Sequence, residues 1–386
     1  MKIADNVYWV GVVDWNVRDF HGYSTMYGTS YNAYLIKDEK VVLIDTVKFG
    51  FEEDLLGKIE EITDRIDYVV VNHVEMDHAG ALKAVLEKYP EAKIVTNARG
   101  KRGLKEAYGI ERDVEVVKTG DRLKIGKQEL MFIETPMVHW PDSMATYLIE
   151  QKILFPNDAF GMHYASSKLI DVELSEEDLE KVFFEAAKYY ANIVLPYSQQ
   201  VRKVLDELKK IELKMICPSH GIIWKDNIEK IVKKYDEWSS GKADRKIVIA
   251  YDSMWGYTEK ALKKIVEGIE EVGVPYRIYK LRNSDFTELM AEVMQSKGLI
   301  VGSSTLNREI FPSVAAFLTY MKGLKPFDKV AAAFGSYGWS GEAVDKIVQV
   351  FKELNFEVVG AVKFRFSSDE KSEELKELGR KLAEKL

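Results

Sequence analysis

The sequence predicts two domains: an α+β domain over residues 1–244 and an α/β domain, a doubly wound parallel sheet, over residues 245–386. Three observations carry this. The 386 residues exceed what one ordinary hydrophobic core fills. A polar stretch, Ser239-Ser240-Gly241-Lys242-Ala243-Asp244-Arg245, separates two differently patterned halves. Before it, strands and helices mix irregularly; after it, five apolar strands alternate regularly with helices.

In the first domain, short apolar runs predict strands at 7–13, 32–36, 41–44 and 68–71, and helical spacing predicts helices at 53–62, 79–88 and 99–108. Strands follow at 114–117, 130–134, 145–148 and 153–155. Helices come next at 175–190, with Ser175 as N-cap, and at 199–210; a strand ending at Cys217 and a helix at 228–238 complete the domain. Two sheets flanked by helices fit this order better than one parallel sheet. In the second domain the strands are 246–251, 276–280, 298–302, 329–334 and 357–362.

Composition narrows the function. A net charge of −7 argues against nucleic acid or an anionic membrane surface as partner. No apolar run approaches the roughly 20 residues that span a bilayer. Asp5 and Asp14 interrupt any signal-peptide pattern, so a cytoplasmic location is expected. With Cys217 the only cysteine, the chain cannot hold a disulfide, an iron–sulfur cluster or a four-cysteine rubredoxin site by itself.

The chemistry concentrates in His73-Val74-Glu75-Met76-Asp77-His78, four potential metal ligands in six residues, directly after an apolar strand. His139 and His220 also follow strand-like runs, and Asp158 follows Ile153-Leu154-Phe155-Pro156-Asn157. Strand ends on one side of a sheet open onto a shared crevice, so these residues could converge. His73, Glu75, His139 and Asp158 could hold one metal; Asp77, His78, His220 and Asp158 could hold a second, with Asp158 bridging. A lone histidine at a strand end is usually only a satisfied polar residue; this density and recurrence argue otherwise. Four imidazoles and three carboxylates give a ligand charge that suits two irons better than two zincs.

The second domain carries three loops at strand ends. Ser253-Met254-Trp255-Gly256-Tyr257-Thr258 opens a helix, where hydroxyls and backbone N–H groups can cradle a phosphate. Ser303-Ser304-Thr305-Leu306-Asn307 and Gly335-Ser336-Tyr337-Gly338-Trp339-Ser340 follow the third and fourth strands. The P-loop pattern is absent, and the glycine spacing is wrong for a dinucleotide fingerprint. Together the loops resemble the flavodoxin phosphate loop and the two loops that clasp an isoalloxazine ring, which makes FMN the cofactor. Tyr257 departs from the asparagine common in flavodoxins.

The His73–His78 loop, Thr135-Pro136 with His139-Trp140-Pro141-Asp142-Ser143, Asn157-Asp158-Ala159-Phe160-Gly161 and Pro218-Ser219-His220-Gly221 resemble the flavodiiron proteins, also called A-type flavoproteins. The resemblance covers essentially the whole chain. It implies a metallo-β-lactamase-like αβ/βα sandwich joined to a flavodoxin-like domain, with His73, Glu75, Asp77, His78, His139, Asp158 and His220 as ligands of two Fe ions. It also implies reduction of O2 to water or of NO to nitrous oxide, a head-to-tail homodimer or dimer of dimers, and an external donor, either rubredoxin or reduced coenzyme F420. His21 and Tyr197 resemble positions over the irons that could hydrogen-bond a bound oxygen species. His163 is expected to be structural and Cys217 to be inert packing. The rival readings are a zinc hydrolase fused to flavodoxin, which would want histidine at position 75, and a plain electron carrier.

Overall fold

The computed structural model describes residues 1–386, in two compact units. One comprises Met1–Tyr189 with Tyr197–Asp236, the other Tyr190–Pro196 with Glu237–Leu386. The polar break therefore lies inside the second unit instead of at its border. The helix Ile228–Ser239 runs into the break, and four residues separate it from the strand Asp244–Tyr251.

The first unit packs two sheets face to face. The larger orders its strands Lys2–Ala4, Val7–Trp9, Tyr34–Lys37, Val41–Ile44, Tyr68–Val70, Lys93–Thr96 and Val114–Val116, antiparallel up to Val41–Ile44 and parallel beyond it. The smaller runs Arg122–Lys124, Glu129–Glu134, Met144–Leu148, Ile153–Phe155 and Met215–Ile216. Alternate residues of a strand point to opposite faces. Val42 and Ile44 accordingly meet Leu130, Phe132, Met144 and Phe155 of the smaller sheet, with Cys217 in the same core. Val41 and Leu43 meet Leu55, Ile59, Leu82, Val85 and Leu104 from the helices Glu52–Glu60, Leu82–Lys88 and Ala98–Tyr108. Burial on both faces explains the unbroken apolar run in the sequence, and each such Leu or Ile contributes about 2 kcal/mol.

Two elements differ from the sequence reading. The strand expected at 7–13 breaks, with Val7–Trp9 in the main sheet and Val12–Asp14 paired to Thr29–Tyr31. Gly11 permits the crossing, since a Cβ there would sit 2.3 Å from the Tyr31 carbonyl oxygen. The helix expected at 79–88 is two, Met76–Ala79 and Leu82–Lys88, so Asp77 and His78 ride on a helical turn instead of a loop. Ser175 does cap its helix, accepting the Asp178 N–H at 3.2 Å.

The second unit is a parallel sheet ordered Tyr276–Lys280, Asp244–Tyr251, Ser296–Leu306, Val330–Tyr337 and Glu357–Arg365. Numbered along the chain this is 2-1-3-4-5, the flavodoxin-like doubly wound order. Two strands run further than expected: Ser303 and Ser304 still pair with Gly335 and Ser336. Parts of the expected loops are thus strand ends.

One buried carboxylate ties the ligand-bearing segments of the first unit together. Asp45, just past Val41–Ile44, accepts the Asn72 backbone N–H at 2.7 Å, the Asn72 side-chain amide at 3.1 Å and that of Asn157 at 3.2 Å. Asn72 and Asn157 immediately precede His73 and Asp158. Asp45→Ala strands these buried donors and is expected to destabilise the unit by roughly 2–3 kcal/mol; denaturant unfolding of the metal-free protein measures it, and an unchanged midpoint would contradict this role.

Candidate metal centre and cofactor pocket

Four strand ends deliver the cluster. His73 and Glu75 follow Tyr68–Val70, His139 follows Glu129–Glu134, Asp158 follows Ile153–Phe155, and His220 follows Met215–Ile216. The structure brings all seven expected ligands together. Asp158 Oδ2 lies 3.4 Å from His139 Nε2 and 3.9 Å from His73 Nε2, while Glu75 Oε2 lies 3.3 and 3.2 Å from the same two atoms. Asp158 Oδ1 lies 3.0 Å from His78 Nε2 and 3.6 Å from His220 Nε2, which approach Asp77 Oδ2 at 3.2 and 2.9 Å. Each oxygen of Asp158 serves one half of the cluster.

These separations match the edges of a coordination shell. Metal–ligand bonds of about 2.1 Å place adjacent ligand atoms roughly 3.0–3.4 Å apart. Both oxygens of Asp77, Asp158 Oδ2 and both ring nitrogens of His78 are buried without a hydrogen bond of proper geometry. Buried polar atoms are normally satisfied, and cations between these donors would satisfy them. The residues present fit two metal ions.

The surrounding contacts orient the ligands. A carboxylate can only accept, so the 2.9 Å contact to Asp142 Oδ2 places the proton of His73 on Nδ1 and turns the Nε2 lone pair inward. His220 does the same through Nδ1–H to the Ser30 carbonyl at 2.7 Å. Tyr189, which the sequence reading missed, donates its hydroxyl to Asp158 Oδ1 at 2.9 Å. It sits on the last turn of the amphipathic helix Glu176–Tyr189, where spacing marks it as core and nothing marks it as polar. Burial and the nearby carboxylates raise its pKa well above the ordinary value, so it stays a donor.

His21 lines a cavity of about 520 Å³ over the cluster, with Phe20, Lys48, Val74, Tyr108 and Trp140 among the other walls. Tyr197 is not among the lining residues; it stands at the N-cap of the helix Ser198–Leu208. His163 is buried, bonded through Nδ1 to Thr29 Oγ1 at 2.8 Å, with its ring against Tyr23, Tyr189 and His220. Cys217 is buried, and burial pushes its thiol pKa well up.

The charge balance is visible in the titration of the metal-free cluster. Burial opposes charge on His73, but hydrogen bonds to Asp142 and Glu75 carry its pKa up to about 10. Against the same burial, Asp158 and Asp77 raise His78 to about 9, and Asp158 and Glu75 raise His139 to about 9. Burial likewise opposes Glu75, yet His139 and His73 hold it down to about 2. Protons here stand where metal cations would stand.

In the second unit a pocket of about 500 Å³ is lined by Met254, Trp255, Tyr257, Thr305, Leu306, Asn307, Ser336, Tyr337, Gly338, Trp339 and Phe366. Trp255 and Trp339 are 77% and 78% exposed, offering flat aromatic surfaces. Gly256, at φ 83°, precedes the helix Tyr257–Val272, whose first turn has no side-chain cap. Ser253 Oγ and Ser340 Oγ are buried without a partner, beside the joined hydroxyls of Thr258, Ser304 and Ser336. Open N–H groups and orphaned hydroxyls fit a phosphate, and aromatic walls fit a flavin. Ser303 instead serves the fold, its hydroxyl bonded to the Ser304 carbonyl and to the Phe311 N–H. Gly335 has no room for a side chain, since a Cβ would lie 2.1 Å from the Ser303 oxygen. Phe366 was not anticipated, because it follows the last strand without a glycine-rich loop to mark it.

Comparison with known proteins agrees with both sites. Residues 29–221 match the ODP family beta lactamase model and residues 249–379 match flavodoxin. The flavodiiron protein of Giardia intestinalis superposes with a TM-score of 0.94 at 38% identity, over 99% of this chain and 95% of that one. The chain belongs to the flavodiiron protein family. The nitric oxide reductase of Moorella thermoacetica is 43% identical over 100% of this chain and 98% of its own. The rubredoxin oxygen:oxidoreductase of Desulfovibrio gigas superposes with a TM-score of 0.96 at 37% identity, over 100% and 98%. As a flavodiiron protein the chain carries FMN and a di-iron centre.

Two expected outcomes follow from this geometry. Histidines with raised folded pKa values stabilise the metal-free flavodiiron domain below the unfolded value of about 6.5 and lose that contribution as pH rises toward 9–10. Loading two divalent ions at pH 7 should therefore release protons, seen with an indicator dye in weak buffer; loading without release would contradict the assignment. Tyr189→Phe removes one donor from Asp158 and should lower the di-iron reduction potential, because a carboxylate relieved of a hydrogen bond donates more charge to ferric iron. A potential unchanged in redox titration would remove Tyr189 from the site's electronics.

Proposed function

We propose that this oxidoreductase takes electrons from an external donor through FMN to its irons and reduces O2 to water, with His73, Glu75, His139 and Asp158 holding one iron and Asp77, His78, His220 and Asp158 the other. The observation that carries the reading is the split of Asp158, one oxygen toward each half of the cluster, beneath a cavity roomy enough for a small gas. When bound, FMN would relay one or two electrons and the iron pair would supply two to a small gas. The chain's own contribution is positional. Asp142 and Ser30 aim imidazole nitrogens inward, Tyr189 loads Asp158, and Val74, Phe20 and Trp140 present apolar surface over the cluster that keeps bulk water back. His21 stands at the cavity with Nδ1 3.4 Å from Glu75 Oε1, where its ring could donate a hydrogen bond to a small molecule in the cavity.

Reduction of NO to nitrous oxide is the second reading, supported by the 43% identical relative named nitric oxide reductase. The same ligands serve both gases. With a single cysteine, residues 1–386 cannot hold a rubredoxin-type iron site themselves, and we take the donor to be a rubredoxin or reduced coenzyme F420. No helix is long and apolar enough to cross a membrane.

We also propose a head-to-tail homodimer in which the flavin pocket of one chain faces the cavity of the other. Exposed apolar side chains rim both: Met254, Trp255, Trp339 and Phe366 around the first, Phe49, Met76 and Trp140 near the second. Contiguous exposed apolar surface of this kind marks an interface. Phe49→Glu should shift sedimentation toward monomer and slow turnover; an undisturbed dimer would refute the arrangement.

Anaerobic purification with metal and flavin analysis, followed by O2 and NO consumption with a reduced donor, tests the function. Glu75→Ala should lose iron and gas consumption while keeping FMN. Retention of two irons in that variant, or consumption of neither gas by the intact protein, would overturn the reading.

A further inference from the structure

The side of the cluster that faces the cavity carries a third set of ligand atoms. His21, Glu75 and Asp77 each place one donor atom within 4.8 Å of the others. His21 Nδ1 is 3.4 Å from Glu75 Oε1, and His21 Nε2 is 4.0 Å from Asp77 Oδ2. Glu75 is divided between two tasks. Its Oε1 turns toward His21, while Oε2 lies 3.2 and 3.3 Å from His73 and His139. The inner imidazoles of His78 and His220 approach Asp77 only at Oδ2, and Oδ1, on a side chain 2% exposed, is left without a hydrogen-bond partner. Buried carboxylate oxygens are seldom left so.

His21 differs from the inner histidines in its access to solvent. Of its side chain 24% is exposed, against 0% for His73, 1% for His78 and His220, and 10% for His139. Phe20 braces its ring at 4.1 Å between centroids, and the backbone is left-handed at φ 61°, a conformation a non-glycine residue adopts only when its surroundings hold it there. The imidazole is thus fixed where the cavity meets Glu75 Oε1 and Asp77, whose Oδ2 it shares with the inner histidines.

We propose that His21, Glu75 and Asp77 form an outer capture position, where a divalent metal ion is first bound before it moves to the inner pair. The proposal rests on the inner di-metal reading and adds a route to it. One imidazole and two carboxylates suit Fe2+, Mn2+ or Co2+. The position is transient by its own electrostatics. Glu75, Asp77 and Asp158 together carry three negative charges, which two divalent ions already exceed, so a third would be repelled once the inner pair is filled. Passage inward exchanges ligands only: the ion gives up His21, passes from Oε1 to Oε2 of Glu75 or stays on Asp77, and gains the inner imidazoles. No electron moves and no covalent bond breaks.

Uptake kinetics test this. The full-length, FMN-containing protein is stripped of metal by chelation and mixed with Co2+, whose visible absorption reports tetrahedral or five-fold binding. His21→Ala should slow incorporation at limiting Co2+ by about tenfold while the final stoichiometry stays at the wild-type value. His21→Asp should restore most of the rate, because a carboxylate also binds the ion. Flavin content and melting midpoint report whether each variant is folded. Equal rates for wild type and His21→Ala would overturn the proposal, as would a lowered final stoichiometry at an unchanged rate, which would make His21 a permanent ligand. If the wild-type chain itself fails to take two Co2+ ions, it is the inner di-metal reading that falls.

Discussion

The first unit is organised around three carboxylates, Glu75, Asp77 and Asp158, packed against four imidazoles and largely buried. Burying an uncompensated carboxylate costs several kcal/mol, and burying three at one spot is tolerable only with matching positive charge. Without metal, His73, His78 and His139 take up part of that charge as protons. The polar contacts around the cluster follow from the same demand. Asp142 holds His73, Ser30 holds His220, Tyr189 holds Asp158, and Asp45 draws Asn72 and Asn157 together behind them. Each contact restricts a group that repulsion would otherwise push apart.

The second unit answers a different demand. Its pocket is open, rimmed by two indoles that are mostly exposed, and its polar atoms are hydroxyls and backbone N–H groups, not paired charges. A flavin needs one aromatic face covered and one phosphate held, and it must exchange electrons with something outside. A closed, charge-dense site would serve that poorly. The two units therefore divide the work: one keeps its reactive centre dry and electrostatically tight, and the other keeps its own accessible.

What the sequence made legible follows from this contrast. His73, Glu75, Asp77 and His78 stood out because ionisable residues directly after a buried strand have no ordinary structural explanation. His139, Asp158 and His220 followed by the same logic at three more strand ends. Tyr189 and Asp45 were illegible for the opposite reason. Tyr189 falls on the buried stripe of a helix, where a tyrosine is unremarkable, and Asp45 reads as a polar turn after a strand. Tyr197 was singled out by its likeness to a family position; its backbone stands at the start of the helix Ser198–Leu208, outside the residues that line the cavity. The break at Gly11 was hidden because apolar residues continue on both sides; only the 2.3 Å approach to Tyr31 exposes it.

The wide spacing of the ligands along the chain also sets what must pack together before they can meet. His73 and His220 lie on opposite sides of most of the first unit's sequence, and their strands belong to different sheets. Bringing segments so distant together carries a loop-closure cost that packing between the two sheets must offset before the ligands can meet. The geometry that receives the metals is thus set by the packing of the whole unit, not by any local segment.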